Sequence, residues 1–169
     1  MNFLMTYASK HGSTREIATA VAEELRTAGH IVDVRDVQDV STLEPYDGAI
    51  VGSAVYMGNW MAEAKQFIES HQQWLASHPL WLFSSGPLGA ENPQPVGDPN
   101  GIAELLETTG ARGHRVFVGK LEKDGLSLGE KVIVRAVKAP YGDFREWQAV
   151  RAWAHDIAAA AETLAGASA

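Results

Sequence analysis

The chain alternates short apolar runs with longer segments whose apolar residues recur every three or four positions. Short continuous apolar runs are typical of strands covered on both faces, and the longer segments are typical of amphipathic helices. Repeated alternation of this kind predicts an α/β fold, a doubly wound parallel sheet with helices on both faces. The predicted strands are residues 2–8, 31–35, 49–53, 80–84 and 115–119.

Polar residues mark the expected helix ends. Ser13 and Glu16 have the spacing of a capping box at the start of the first helix, and Gly29 is a stop signal. Asn59 is predicted to cap the second helix, and Asp143 with Glu146 to open the last one. A short helix is expected at 102–108. The core positions expected on the helices are Ile17, Val21, Leu25, Ala28, Ala64, Phe67, Ile68, Leu75, Phe144, Trp147, Val150, Ala154, Ile157 and Leu164.

An extra segment at about 121–142 separates the fifth strand from the last helix. As a helix, residues 126–138 would carry an apolar stripe beside a basic one, a pattern that can lie on an anionic membrane surface. At about three turns such binding would be weak. A core-covering helix, an irregular excursion or a strand at 132–134 are the alternatives. The stripes are Leu128, Val132, Ala136, Ile133 and Val137 on the apolar side and Lys131, Arg135 and Lys138 on the basic side.

Composition narrows the class of protein. The 169 residues are 46% apolar and contain no repeat, which predicts a single domain over 1–165. The net charge of −7 argues against binding to nucleic acid, and the absence of cysteine excludes disulfides and thiolate chemistry. Because no secretion signal or 20-residue apolar stretch is evident, a cytoplasmic location is expected.

Three loops, 9–14, 54–59 and 84–89, follow the first, third and fourth predicted strands; each contains glycine, and the first and third are also rich in serine. The carboxyl ends of parallel strands share one sheet edge, so these loops are expected to meet at one ligand site. Loop 9–14 offers hydroxyls and backbone amides at a helix start, which suits a phosphate, although an ordinary capped turn has the same pattern. It matches neither the P-loop nor the G-x-G-x-x-G motif, which disfavours NTPases and dinucleotide-binding proteins.

Three motifs carry a resemblance to a known family. Thr6-x-x-Ser9-x-x-Gly12-Ser13-Thr14, followed by a long helix, resembles the phosphate loop of flavodoxins. Tyr46-Asp47-x-x-Ile50-x-Gly52-Ser53-x-x-Tyr56-x-Gly58 resembles the flavin-facing loop of the flavodoxin-domain group that contains the menaquinone-dependent protoporphyrinogen dehydrogenases of bacteria. The run Phe83-Ser84-Ser85-Gly86-Pro87-Leu88-Gly89 is similar to the third flavin loop of those relatives.

The resemblance implies five parallel strands in the order 2-1-3-4-5 and a bound FMN. It places the phosphate in loop 9–14, the isoalloxazine ring beside residues 55–58, and the pyrimidine edge against the backbone of 84–89. A flip of the Gly58 peptide would tune the potential of the ring. The implied cofactor-binding residues are Ser9, Lys10, His11, Gly12, Ser13, Thr14, Ala54, Val55, Tyr56, Met57, Gly58, Asn59, Trp60, Ser84, Ser85, Gly86, Pro87, Leu88 and Gly89.

The identity of the substrate is a separate question. Tyr56 and Trp60 are candidates to stack on the flavin, with core or rim positions as the alternative. The third loop has no aromatic residue, and an open ring face there would suit a quinone or tetrapyrrole. The hypotheses are a quinone-linked dehydrogenase, a one-electron carrier that serves a partner reductase or oxygenase, and a flavin-free interaction domain. No residue is predicted as a catalytic acid, base or metal ligand. Histidines 30, 71, 78, 114 and 155 are interpreted as surface or packing residues.

Overall fold

A computed structural model describes residues 1–86, 97–121, 126–136 and 141–167. Its strands are β1 (Asn2–Ala8), β2 (Ile31–Asp36), β3 (Gly48–Tyr56), β4 (Asn59–Trp60), β5 (Leu80–Ser85), β6 (His114–Phe117), β7 (Lys120–Leu121) and β8 (Gly142–Asp143). Its helices are α1 (Ser13–Thr27), α2 (Ala62–Ser70), α3 (Gln72–Ser77), α4 (Ile102–Thr109), α5 (Leu128–Ala136) and α6 (Trp147–Ala167), with a 3-10 turn at Val37–Asp39.

Parallel strands form the centre of the fold. Within the described ranges they lie in the order β2-β1-β3-β5-β6. Alternate side chains of β1 point to opposite faces: Phe3 and Met5 pack with α1 and α6, whereas Leu4 packs with α2, α3 and α4. The predicted fold class, a doubly wound sheet covered on both faces, is confirmed.

The centre of the sheet depends on a glycine. A Cβ atom at Gly52 of β3 would lie 2.0 Å from the ring of Phe83 on neighbouring β5. The buried Phe83 ring therefore occupies the volume that any other residue at position 52 would need. This contact lies directly below the strand ends that form the candidate site.

The stretch after the third strand differs from the expectation of an irregular loop. Residues 54–56 continue β3, and β4 then pairs with it in antiparallel register, Tyr56 opposite Asn59 and Val55 opposite Trp60. A two-residue turn, Met57–Gly58, closes this hairpin. Local hydropathy does not reveal this hairpin, because its second strand, β4, is only two residues long.

Three predicted helix caps are wrong. Gly12 occupies the N-cap position of α1 with no side-chain cap, and Glu16 pairs with Arg145 instead. Met61 precedes α2, while the Asn59 side chain bonds the Met57 carbonyl. The last helix begins at Trp147, four residues beyond Asp143. Phe144 consequently lies outside it, and Ala28 is exposed beyond the end of α1.

The described parts of the extra segment contain two short strands and a helix. β7 and β8 form an antiparallel pair, and α5 lies between them in sequence, so the strand alternative for 132–134 is wrong. Leu128 and Val132 are 84% and 68% exposed, so these two side chains of the predicted apolar stripe cover no core. Lys138 and Val137 lie outside the described residues.

A buried arginine fastens this segment to the first helix. The Arg145 guanidinium is 3% exposed and bonds Asp143 and Glu16, each at 2.6 Å. It also lies 4.5 Å from the centre of the Trp147 ring. Its hydrogen bond holds the pKa of Asp143 below its usual range. Arg145 therefore fixes the start of α6 against the first turn of α1.

Candidate functional site

The loop between β1 and α1 leaves a helix N-terminus without a side-chain cap. Gly12 has φ +85°, in the left-handed region that favours glycine. The Ser9 hydroxyl oxygen accepts the Gly12 amide at 3.1 Å, which closes the loop upon itself. The first-turn amides of α1 have no partners within their helix, so they and the helix dipole are available to an anion.

Thr14 strengthens this assignment. Thr14 is 1% exposed, and its hydroxyl is buried without a hydrogen-bond partner. A buried polar group of this kind is costly unless something bonds it. A phosphate seated on the helix start is an acceptor of the right type, and the donor set of loop 9–14 therefore fits an anionic ligand group.

The extra segment forms the outer wall of this loop. The Lys120 amide donates to the Ser13 hydroxyl oxygen at 3.2 Å, which leaves the Ser13 proton available for donation to another group. A cleft of about 540 Å³ opens between the loop and this segment, within the size range of small-ligand pockets. Its lining residues are Tyr7, Ser9, Lys10, His11, Gly12, Arg15, Asp36, Lys120, Leu121 and Leu126.

The second loop meets the first through an aromatic contact. The rings of His11 and Tyr56 lie edge to face with their centres 6.5 Å apart. Tyr56 and Met57 are 40% and 84% exposed at the end of the hairpin. The predicted residues of loops 9–14 and 54–60 are thus together at one edge, with Ala54, Val55 and Trp60 buried beneath the turn.

Both carbonyls of the hairpin turn are engaged. Met57 has φ +50° and Gly58 φ +76°, the combination of a type I′ turn, in which the left-handed methionine is unusual. The Asn59 side chain donates to the Met57 carbonyl at 3.0 Å, and the Asn100 amide donates to the Gly58 carbonyl at 2.8 Å. Surrounding structure therefore defines the orientation of both peptides.

The third loop begins at the same edge. Its Gly86 amide donates to the Phe117 carbonyl at 2.9 Å, and Gly119 packs against the Gly86 backbone. Ser84 and Ser85 are buried at the end of β5, beside Ser53 and Ala54 of β3. Pro87, Leu88 and Gly89 lie outside the described residues.

A hydrogen-bond chain below the hairpin, buried except at Asp98, includes His114, which was predicted only as a surface or packing residue. The Trp60 indole donates to the Ser84 hydroxyl oxygen at 2.7 Å, and that hydroxyl lies 2.7 Å from Nε2 of His114. Nδ1 of His114 lies 2.9 Å from a carboxylate oxygen of Asp98. No local signal reveals this chain, because its members lie on separate elements far apart in sequence.

The chemistry of the chain defines its direction. A carboxylate only accepts, so His114 donates through Nδ1, and its Nε2 accepts the Ser84 proton. Burial lowers the pKa of His114, and Asp98 partly opposes this change. The order Ser-His-Asp is that of a hydrolytic nucleophile, but Ser84 has no exposed surface and already binds Trp60. The arrangement is therefore structural.

Comparisons with known proteins identify the class of the fold and site. A family model described as a flavodoxin domain matches residues 4–146, and the chain belongs to this family. A flavodoxin from the domain Archaea superposes with a TM-score of 0.62 at 19% identity, covering 96% of this chain and 99% of its own. The flavodoxin of Streptococcus pneumoniae TIGR4 superposes with a TM-score of 0.60 at 20% identity, and the match covers 94% of this chain and 99% of that flavodoxin.

A curated relative narrows the comparison. The chain is 30% identical over 86 residues to the protoporphyrinogen IX dehydrogenase [quinone] of Escherichia coli K12. These 86 residues are 50% of this chain. The chain spans about half the length of the curated relatives it matches, 48%. Together with the family match, these findings define a flavodoxin-like redox protein.

FMN is the cofactor of this family, and the residues present fit it. The unpartnered Thr14 hydroxyl, the uncapped start of α1 and the left-handed Gly12 suit a phosphate group. In the part of the chain that the structure describes, no cluster of side chains could hold a metal ion. None of the helices described has both the length and the apolar character needed to cross a bilayer.

Proposed function

We propose that loop 9–14 binds the FMN phosphate and that the isoalloxazine ring lies between residues 54–60 and the described start of the third loop, 84–86. The unpartnered Thr14 hydroxyl is the observation that carries this assignment. Ser9, Ser13 and the first-turn amides of α1 would donate hydrogen bonds, and Lys10 and His11 would offset the phosphate charge. Tyr56, 40% exposed beside His11, would cover one face of the ring.

Bound FMN supplies the electron and hydride chemistry, and this chain holds and orients it. The buried backbone of Ser85 and Gly86 would border the pyrimidine edge. The hairpin turn would lie beside the ring with its carbonyls already engaged by Asn59 and Asn100. These described residues would contribute pre-organisation of the site.

We further propose that the protein is a quinone-linked oxidoreductase similar to the protoporphyrinogen dehydrogenases. Support comes from the 30% identity to such an enzyme over half of this chain. Bound flavin would supply the redox chemistry between a tetrapyrrole and a quinone, and loops 9–14 and 54–60 would hold it. The substrate would approach the ring face not covered by Tyr56.

The exposed stripe of α5 supports weak contact with a membrane. Leu128 and Val132 are exposed on this helix, as are Lys131 and Arg135. Apolar and basic side chains on one short helix suit peripheral binding to anionic lipid. Such binding would bring the site close to a quinone dissolved in the membrane. Co-sedimentation with anionic vesicles should exceed that with neutral vesicles, and equal sedimentation would contradict the proposal.

A one-electron carrier is the second candidate. The net charge of −7 and the exposed Tyr56 and Met57 favour docking to a basic partner protein. Such a carrier would have the same flavin site and no small-molecule substrate.

Two measurements test these proposals in order. The purified protein should quench the fluorescence of added FMN and show a perturbed flavin spectrum, whereas a protein that ignores FMN contradicts the first proposal. The loaded protein is then supplied with protoporphyrinogen and menaquinone without oxygen, with FMN alone as the control. Porphyrin formation that requires both protein and quinone supports the dehydrogenase, and its absence with a loaded protein favours the carrier.

A further inference from the structure

Residues 97–101, named here the clamp loop, connect to the hairpin at both of its ends, directly at the turn and through two intervening side chains at the base. At the turn, the Asn100 amide donates to the Gly58 carbonyl at 2.8 Å, and Asn100 also bridges to Asn59. At the base, Asp98 reaches Trp60 through His114 and Ser84. These are separate routes from one loop to one hairpin.

We propose that Asp98 and His114 are positioning residues, which act through Ser84 and Trp60 to set the conformation of the Met57–Gly58 turn beside the flavin. The proposal rests on the proposed function, because it takes the turn to border bound FMN.

The turn needs such support. A left-handed methionine costs about 1–2 kcal/mol relative to its ordinary conformation, so Met57 with φ +50° persists only where its surroundings determine it. Met57 itself is 84% exposed and contributes little packing. The conformation is therefore imposed from its neighbours: the Asn59 side chain on the Met57 carbonyl, the Asn100 backbone amide on the Gly58 carbonyl, and Trp60, which is 3% exposed at the base.

Because its central members are buried, the hydrogen-bond chain from Asp98 to Trp60 depends on each of its side chains. The His114 side chain is 2% exposed, and the Asp98 side chain is 67% exposed. With His114 present, the Ser84 hydroxyl has both an acceptor for its proton and a donor for its lone pair. Loss of the imidazole leaves the buried Ser84 hydroxyl without its present acceptor, and a shift of Ser84 or Trp60 would relieve that cost.

The first measurement does not involve flavin. In an ¹⁵N-labelled protein, the indole N–H resonance of Trp60, assigned with Trp60→Phe, should shift in His114→Phe and exchange faster with solvent. Asp98→Ala, altered at an exposed position, should cause a smaller shift in a folded protein. His71→Phe is the matched control: His71 is partly buried and bonds the Phe67 carbonyl at 2.9 Å, away from the hairpin. An unmoved Trp60 resonance in both test variants overturns the proposal.

The second measurement concerns the flavin. The ratio of FMN dissociation constants for the oxidised and reduced protein should change by about fivefold to tenfold in His114→Phe and less in Asp98→Ala, as expected for the loss of about one net hydrogen bond. His71→Phe should retain the original ratio. A Trp60 resonance that moves while the ratio stays constant means that the chain only supports packing, and this outcome overturns the positioning role.

The two proposals fail in distinguishable ways. If the unaltered protein binds no FMN, the proposed function fails and takes this inference with it. If the unaltered protein binds FMN and the variants leave the ratio unchanged, the inference alone fails.

Discussion

The two ends of the candidate site use their polar groups in opposite ways. In loop 9–14 the Thr14 hydroxyl lacks a partner, and helix α1 begins without a side-chain cap. In the hairpin, the Met57 and Gly58 carbonyls and the Trp60 indole are all bonded within the protein. An end with unused donors can gain free energy from a ligand, whereas an end with satisfied groups presents a preset shape. Loop 9–14, named here the open end, should therefore determine how tightly FMN binds. The hairpin, named here the closed end, should determine what environment the flavin ring meets.

The largest effect should follow from removing hydroxyls at the open end. The double variant Ser13→Ala/Thr14→Ala should weaken FMN binding by about 3 kcal/mol or more, because hydrogen bonds to a charged group contribute about 1.5–3 kcal/mol each. Fluorescence titration measures this change. Riboflavin, which lacks the phosphate, should bind the variant and the unaltered protein equally.

A control for this variant lies on the same helix. Thr19 bonds the Arg15 carbonyl on an exposed face, so Thr19→Ala removes a threonine hydroxyl without touching the loop. If it weakens FMN binding as much as the double variant does, the effect is one of helix stability. If the double variant retains full affinity, the phosphate lies elsewhere.

A smaller effect is expected from the wall of the open end. Arg145→Met removes a buried guanidinium that joins Asp143 and Glu16, and should lower the free energy of unfolding by about 2 kcal/mol, less than a fully buried pair because both carboxylates are partly exposed. FMN binding should weaken less than in the double variant, since no phosphate donor is lost. Urea denaturation measures the first quantity and fluorescence titration the second.

Arg35 provides the matched control. It bonds Asp33 at 2.6 Å, the same distance as the pairs of Arg145, but its side chain is 48% exposed. Arg35→Met should change stability little, because solvent screens an exposed pair. Equal destabilisation by both variants would mean that burial of Arg145 does not anchor the extra segment.

The same contrast separates what the sequence could predict from what it could not. Apolar periodicity was sufficient to predict the sheet and its covering helices, because buried residues such as Phe3, Ile17 and Phe83 recur in a regular pattern along the chain. It also placed loops 9–14 and 54–59 at one sheet edge, through the rule for parallel strands. The roles of the predicted cofactor residues remain predictions.

Tertiary partners were the information that local pattern lacked. The spacing of Ser13 and Glu16 predicted a cap, but Lys120 bonds the one and Arg145 the other, from more than 100 positions away. His114 carried no local signal, since Ser84 and Asp98 reach it only after folding. The Leu128 and Val132 stripe had the periodicity of a core helix, yet it faces solvent, because periodicity records a face and not what covers it.

The smallest effect, and the one most specific to the closed end, concerns the left-handed methionine. Met57→Gly should be more stable than Met57→Ala by about 1 kcal/mol, because both substitutions remove the exposed side chain but only glycine adopts φ +50° without a Cβ clash. Comparison with Ala rather than with Met removes the contribution of side-chain contacts. Urea denaturation of the FMN-free protein measures the difference. If alanine is as stable as glycine, the turn relaxes out of the left-handed region, and the hairpin is not the preset end of the site.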